Sequence, residues 1–324
     1  MIKTINLIGA ATLSIIGFGA SAETTWDMAT PFGAGNFHTL NIVQFAEDVN
    51  AATNGDLVIT VHPAGSLIKH AEVKNAVRSG QVPIGEFFLS RLSNENAIYA
   101  VDSIPFLAAD YDSAENLWAA SRDEITALLA QQNLMPLFAV PWPPQGIYAK
   151  VELDTIEGLR GIRFRAYNPS TERLAQLAGA VPTQIESSDI AQAFSTGRVD
   201  AMITSPSTGA NSKAWDFLTH YHNTQAWLPK NVVVVNIDAF EALDAAVQSA
   251  VLAASAIAET RGWAASSVET TEKTQVLADN GLVVVSPSEA LTSSMQAIGV
   301  TMTTEWLAST GTAGQAIIDA FNAN

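Results

Sequence analysis

Residues 156–204 read IEGLRGIRFRAYNPSTERLAQLAGAVPTQIESSDIAQAFSTGRVDAMIT. Ile162–Ala166 reads as a strand, Ser170–Ala178 as a helix stopped by Gly179, and Ala180–Thr183 as a second strand. Ser187 or Ser188 stands where a helix running to Thr196 needs a cap, with Gly197 at its stop. Val199–Thr204 is then extended. Strands alternating with helices imply βαβ units and a largely parallel sheet.

The same rhythm extends outward. Helix 38–52 carries Ile42, Phe45, Ala46 and Val49 on one face. An Asn54-Gly55 turn leads into the strand Leu57–Val61, a helix through Val73 and Val77 ends at Gly80, and Ile84–Leu89 is extended. A helix from Ala114 to Ala130 precedes the strand Leu134–Val140, and Asn231–Ile237 is another strand. Phe240–Asn280 has one glycine, Gly262, and no proline in 41 residues. A single helix there would reach about 60 Å and bridge two domains; two helices split near Gly262 is the other reading. The chain has 324 residues, enough for two α/β lobes, and has no flexible linker, so it is expected to cross between lobes more than once.

Composition removes whole classes of function. The formal net charge is −16, from 16 basic and 32 acidic residues, so a nucleic-acid partner or an anionic lipid surface finds no basic footprint. There are no cysteines, which excludes disulfides, thiolate metal sites and a Cys nucleophile. Lys3, the uncharged run Ile5–Gly19 and Ala20-Ser21-Ala22 have the form of a cleaved secretory signal spanning 1–22. The mature chain would start at Glu23 in the periplasm, and without a cysteine it would carry no lipid anchor.

No catalytic constellation emerges. Gly33-Ala34-Gly35 lacks the third glycine and the strand–turn–helix setting of a dinucleotide loop. Ser66-Leu67-Ile68-Lys69 fits Ser-x-x-Lys, but the companion motifs of the penicillin-recognising enzymes are missing. His220 and His222 have no adjacent carboxylate to complete a zinc site. A binding protein with no cofactor, metal or catalytic residue is the expectation. Its rival is a secreted hydrolase or lyase built on Glu86 or Ser66.

Three segments, in order, resemble the DctP-like substrate-binding proteins of tripartite ATP-independent periplasmic (TRAP) transporters. They are His62-Pro63-Ala64-Gly65-Ser66-Leu67 with Ser79-Gly80, then Ile104-Pro105-Phe106-Leu107, then the stretch quoted first, which is similar to the family's "G-L-K-I-R … L-G-A … T-G-V-V-D-G". The resemblance implies a two-lobed periplasmic-binding-protein fold with a long interlobe-spanning helix, closing on a small-molecule ligand and delivering it to integral membrane permease subunits. Lobe I is expected over 23–143 plus about 231–262, and lobe II over 144–230 plus about 263–324, with hinges at Pro144–Tyr148 and Trp227–Asn231.

The family's anion-binding arginine aligns with Arg165, a guanidinium fork suited to a carboxylate. Arg163 reads as a solvated or structural charge. A second family arginine is replaced by Gln145, and a ligand-binding asparagine by Thr204. Glu86 and Phe88 alternate on one strand face, and a lone carboxylate there should face the cleft or pair with Arg91 or Arg78. Trp142 and Trp227 are candidate aromatic walls. Two ligand classes follow: an organic acid held by Arg165, or a zwitterionic or amine-bearing solute shared between Arg165 and Glu86.

Overall fold

The computed structural model describes residues 23–323; the expected signal segment 1–22 lies outside them. The elements run β1 (Thr24–Ala29), α1 (Phe37–Ala52), β2 (Leu57–His62), α2 (His70–Arg78), β3 (Ile84–Phe88), α3 (Tyr111–Ala130), β4 (Leu134–Pro141) and β5 (Gly146–Ala149). Next come β6 (Arg163–Ala166), α4 (Pro169–Leu177), β7 (Val181–Gln184), α5 (Ile190–Ser195), β8 (Ala201–Thr204), α6 (Pro206–Asn211) and β9 (His220–His222). The chain ends with β10 (Lys230–Asn236), α7 (Ile237–Glu241), α8 (Ala245–Asp279), β11 (Val283–Val285) and α9 (Glu289–Asn322).

Among the described residues the strands form two sheets, ordered β2-β1-β3-β10-β4 and β11-β9-β5-β8-β6-β7. These are the cores of two lobes. Each sheet is mixed, which corrects the expectation of largely parallel sheets. The βαβ segments are parallel, but β10 runs antiparallel to both β3 and β4, and β5 is antiparallel to β8 and β9. Both exceptions follow a crossing between lobes. A chain arriving from the other lobe needs no crossover helix, so it can enter its sheet from the opposite end.

The two crossings lie side by side. Trp142 N–H donates to Pro229 O (2.8 Å), Gln145 N–H to Trp227 O (3.0 Å), and Ala226 N–H back to Gln145 O (2.9 Å). Backbone pairing holds the connectors together where no helix covers them. A buried pair, Lys230 Nζ and Asp102 Oδ2 at 3.9 Å, anchors the second crossing.

One unbroken helix occupies most of the stretch from Phe240 to Asn280. α8 runs about 50 Å at the ordinary helical rise and packs on α1 and β4 of the first lobe, then on α6 and β11 of the second. The split at Gly262 does not occur. This glycine is buried inside the helix where β4 and α1 press on it, and an added Cβ would overlap Val140 Cγ2 and approach Asn41 Nδ2 to 2.8 Å. Gly262→Ala is expected to cost about 1–3 kcal/mol, because a core strand must shift to admit one methyl. Urea unfolding monitored by circular dichroism measures it, and an unchanged midpoint refutes this packing.

Sequence periodicity did not announce α9. It kinks at Gly311 (φ 58°) and packs on α3 and residues 97–103 of the first lobe, as well as on α4 and 156–159 of the second. α9 therefore touches elements on both sides of the molecule.

Candidate functional site

The C-terminal ends of β6 and β8 and the start of β5 lie at one edge of the second sheet. Arg165 is in register with Met202, and Thr204 with Gly146. Their side chains emerge where the two sheets face each other, with Phe88 at the C-terminal end of β3 opposite. Ligands of open α/β sheets gather outside such carboxyl ends. The cavity there spans about 420 Å³ of non-atom space, the open solvent at its mouth included. Among its lining residues are Phe32, His70, Phe88, Arg91 and Trp142 from the first lobe side, and Gln145, Arg165, Tyr167, Glu186, Ser187, Thr204 and Thr208 from the second. It adjoins a wider mouth, bordered by Pro31–Gly33 and by Ser187, Ser188 and Asn211–Lys213.

Arg165 is only 3% exposed. Its Nε donates to Ile185 O (3.1 Å) and its guanidinium lies 5.0 Å from the Tyr167 ring centre, yet Nη1 has no hydrogen-bond partner. Burial pushes this guanidinium down to about 10, with the neighbouring Tyr167 and Glu186 partly opposing. A buried donor without an acceptor is costly, and a ligand carboxylate removes that cost. Gln145 offers no charged fork in its place: one Nε2 hydrogen goes to Pro143 O (2.9 Å), its Oε1 accepts from Tyr167 (3.0 Å), and what is left is a neutral N–H. It fixes Tyr167, and Tyr167 fixes the face on which Arg165 lies.

The lobes touch around this cavity. Asn168 Nδ2 donates to Ser90 Oγ (2.7 Å), and Glu186 pairs with Arg91 (2.7 Å) while lying 3.4 Å from His70 Nδ1. Burial alone would raise the Glu186 carboxyl, but His70 and Arg91 bring it down to about 2.

Five of the seven predicted site residues line the cavity: Arg165, Gln145, Thr204, Phe88 and Trp142. Two are displaced from it. Trp227 is buried behind the wall, next to Tyr167. Glu86 faces neither the cleft nor Arg91 nor Arg78. It accepts from Thr30 Oγ1 (2.5 Å) and Asn231 Nδ2 (2.7 Å), with His38 Nδ1 at 3.5 Å. Asn231 Oδ1 in turn accepts from Trp142 Nε1 (2.9 Å), so Glu86 supports the wall from behind. β3 is buried on both faces, which hides its carboxylate in the lobe.

Burial lifts the Glu86 carboxyl from 4.5 to about 7, against the pull of Thr30 and Asn231. The folded chain thus keeps a proton that the unfolded chain gives up. That stability is fully present below pH 4.5 and is lost as pH rises to about 7, a span on the order of 3 kcal/mol. Glu86→Gln is expected to match the native protein near pH 4.5 and to exceed its stability at pH 8. Urea midpoints at both pH values test this, and equal differences at both would refute it.

Further expectations are resolved by geometry. Arg163 is exposed and paired with Asp200 (2.6 Å), a structural charge as read. Ser187 caps no helix, because α5 starts at Ile190 with Asp189 before it; Ser187 lines the cavity instead. His222 Nε2 accepts from Leu153 N–H (2.8 Å), which occupies it structurally. Ser66 and Lys69 are exposed and outside the cavity. Among the described residues no three His, Asp or Glu side chains group as metal ligands, and no helix is long and apolar enough to cross a membrane. Tyr167 escaped the sequence reading although it follows Arg165 by two, the strand spacing that puts both on one face. Arg91, His70 and Glu186 had no such signal.

Two lobes around a cationic, mostly apolar cavity have the arrangement of a solute-binding receptor. The chain belongs to the bacterial extracellular solute-binding protein family 7, DctP, whose model matches residues 29–309. It is similar to a Bordetella pertussis extracytoplasmic solute receptor binding pyroglutamic acid, with 43% identity and a TM-score of 0.91 over 92% of this chain and 99% of that one. A marine metagenome TRAP solute-binding protein specific for pyroglutamate is 40% identical, with a TM-score of 0.91 over 93% and 99% of the two chains. A solute-binding protein of Albidiferax ferrireducens is 24% identical over 174 residues, 53% of this chain and about half of that relative's length (51%).

Proposed function

We propose that this protein is the periplasmic receptor of a TRAP-type importer for a small cyclic monocarboxylate, with pyroglutamate as the first candidate. The observation that carries this is Arg165 Nη1, buried and unpartnered, in a cavity walled by both lobes. Both similar solved structures cited above are described as pyroglutamate receptors. The amine-bearing alternative loses support, since Glu86 is outside the cavity and Glu186 is held by Arg91. Trp142, Phe32 and Phe88 offer apolar faces for a small ring, and the Thr204 hydroxyl is available for its polar edge.

Ligand is expected to bind the lobe-closed form more tightly than the open one, so that closure follows binding. The hinge is expected at 142–145 and 223–229, a few residues before the spans 144–148 and 227–231 read from sequence, because β5 already begins at Gly146 and β10 at Lys230. The closed form would engage membrane permease subunits, and the chain would be exported with loss of residues 1–22. Capture and release need no cofactor and leave the ligand intact.

Thermal melting with pyroglutamate, proline, glutamate and glucuronate tests the reading. Pyroglutamate at a hundredfold excess over its Kd should add about 2.7 kcal/mol of stability by mass action and be recovered unchanged. Absence of any shift with pyroglutamate, or its conversion in proportion to protein, would reject the proposal in favour of another ligand or of an enzyme.

A further inference from the structure

The cavity contains its own anion. Arg165 and Arg91 bring two guanidinium charges to the wall, and Glu186 brings one carboxylate. Glu186 comes from the second lobe, while Arg91 and His70, which face it, come from the first. His70 is neutral on geometric grounds. Its Nε2 accepts from Phe88 N–H (3.2 Å), which leaves the proton on Nδ1, the atom 3.4 Å from Glu186. Burial also holds His70 below its ordinary value. The remaining acid nearby, Glu86, is behind Trp142 and does not line the space. The cavity therefore has one net positive charge, and Arg165 Nη1 is a buried charged donor in it without a hydrogen-bond partner.

We propose that Glu186 is a specificity-determining residue that sets the cavity's charge, so that the receptor accepts monocarboxylates and rejects dicarboxylates of similar size. This rests on the reading of the cavity as a carboxylate site. A second ligand carboxylate would enter a partly buried space where Arg91 is already paired and Glu186, its side chain 35% exposed, repels it. The surrounding chain, with its net charge of −16, offers no compensation. Specificity then comes from a repulsive group of the protein's own, in addition to the attraction of Arg165.

The test uses L-pyroglutamate and glutarate, an acyclic five-carbon dicarboxylate, in calorimetric titration and competition. For each variant the ratio of the two affinities is compared with that of the native protein, which cancels their difference in shape. Glu186→Gln is expected to shift the ratio toward glutarate by at least about tenfold. The double variant Arg91→Gln/Glu186→Gln restores a net charge of one, and its ratio should return close to the native value, although it too lacks the interlobe ion pair. An unchanged ratio in Glu186→Gln overturns the proposal. So does a double variant that keeps the altered ratio, since loss of the ion pair would then be the cause. A native protein that binds pyroglutamate while either result holds leaves the receptor reading intact. A native protein that binds neither acid removes both.

Discussion

Replacing Arg165 with methionine is expected to abolish ligand-induced stabilisation while leaving the empty protein as stable as before. The guanidinium is 3% exposed, with one hydrogen bond from Nε and none from Nη1. A charge so placed is costly until an anion joins it. Methionine fills the same slot without that cost, so the empty protein loses little. The ligand loses its charge-assisted, forked contact, about 2–5 kcal/mol, or roughly 30-fold to several-thousand-fold in Kd. Arg165→Lys should fall between, because an ammonium keeps the charge but not the planar pair of donors. Calorimetric titration and melting of both variants decide it. A folded methionine variant with native affinity would place the carboxylate elsewhere.

Asp102→Ala is expected to destabilise the protein by about 3–5 kcal/mol, the usual cost of leaving one member of a buried ion pair alone. Asp102 and Lys230 have side chains 4% and 1% exposed. Burial raises the Asp102 carboxyl and lowers the Lys230 ammonium, and each is partly held back by the other. Asp102 Oδ2 also accepts from the backbone N–H of Lys230 (2.9 Å), and Lys230 Nζ lies 5.8 Å from the Trp263 ring centre on α8. The pair thus ties together the 97–103 turn, the start of β10 and the bridging helix, beside the second crossing. The double variant Asp102→Asn/Lys230→Met keeps an acceptor for that backbone N–H and leaves no charge unpaired, so it should recover most of the loss. Urea unfolding at pH 7 measures both, and a single variant within about 0.5 kcal/mol of native would show that the pair is not felt.

The amino-acid sequence determined much of this protein by itself. Local patterns marked β3, β4, β6 and β8, the helices between them, and the turn at Asn54-Gly55, because periodicity and turn chemistry are short-range properties. The ordered motifs around Arg165 and Asp200 carried the two-lobed architecture and singled out Arg165 as the candidate anion-binding residue. The strands β9 and β11 are three residues long, too short to show a period, and exist because neighbouring strands pair with them. The antiparallel entry of β10 was likewise invisible, since strand direction depends on the lobe from which the chain arrives.

Glu86 shows the limit most clearly. Alternation with Phe88 suggested a shared face toward the ligand, but β3 is covered on both sides, and one of those sides is the interior of the lobe. Only tertiary packing decides which face of a doubly buried strand meets a cavity. The meeting of Arg91, His70 and Glu186 has the same origin. They are distant in sequence and adjacent only because two lobes close on one another, so no spacing rule joins them.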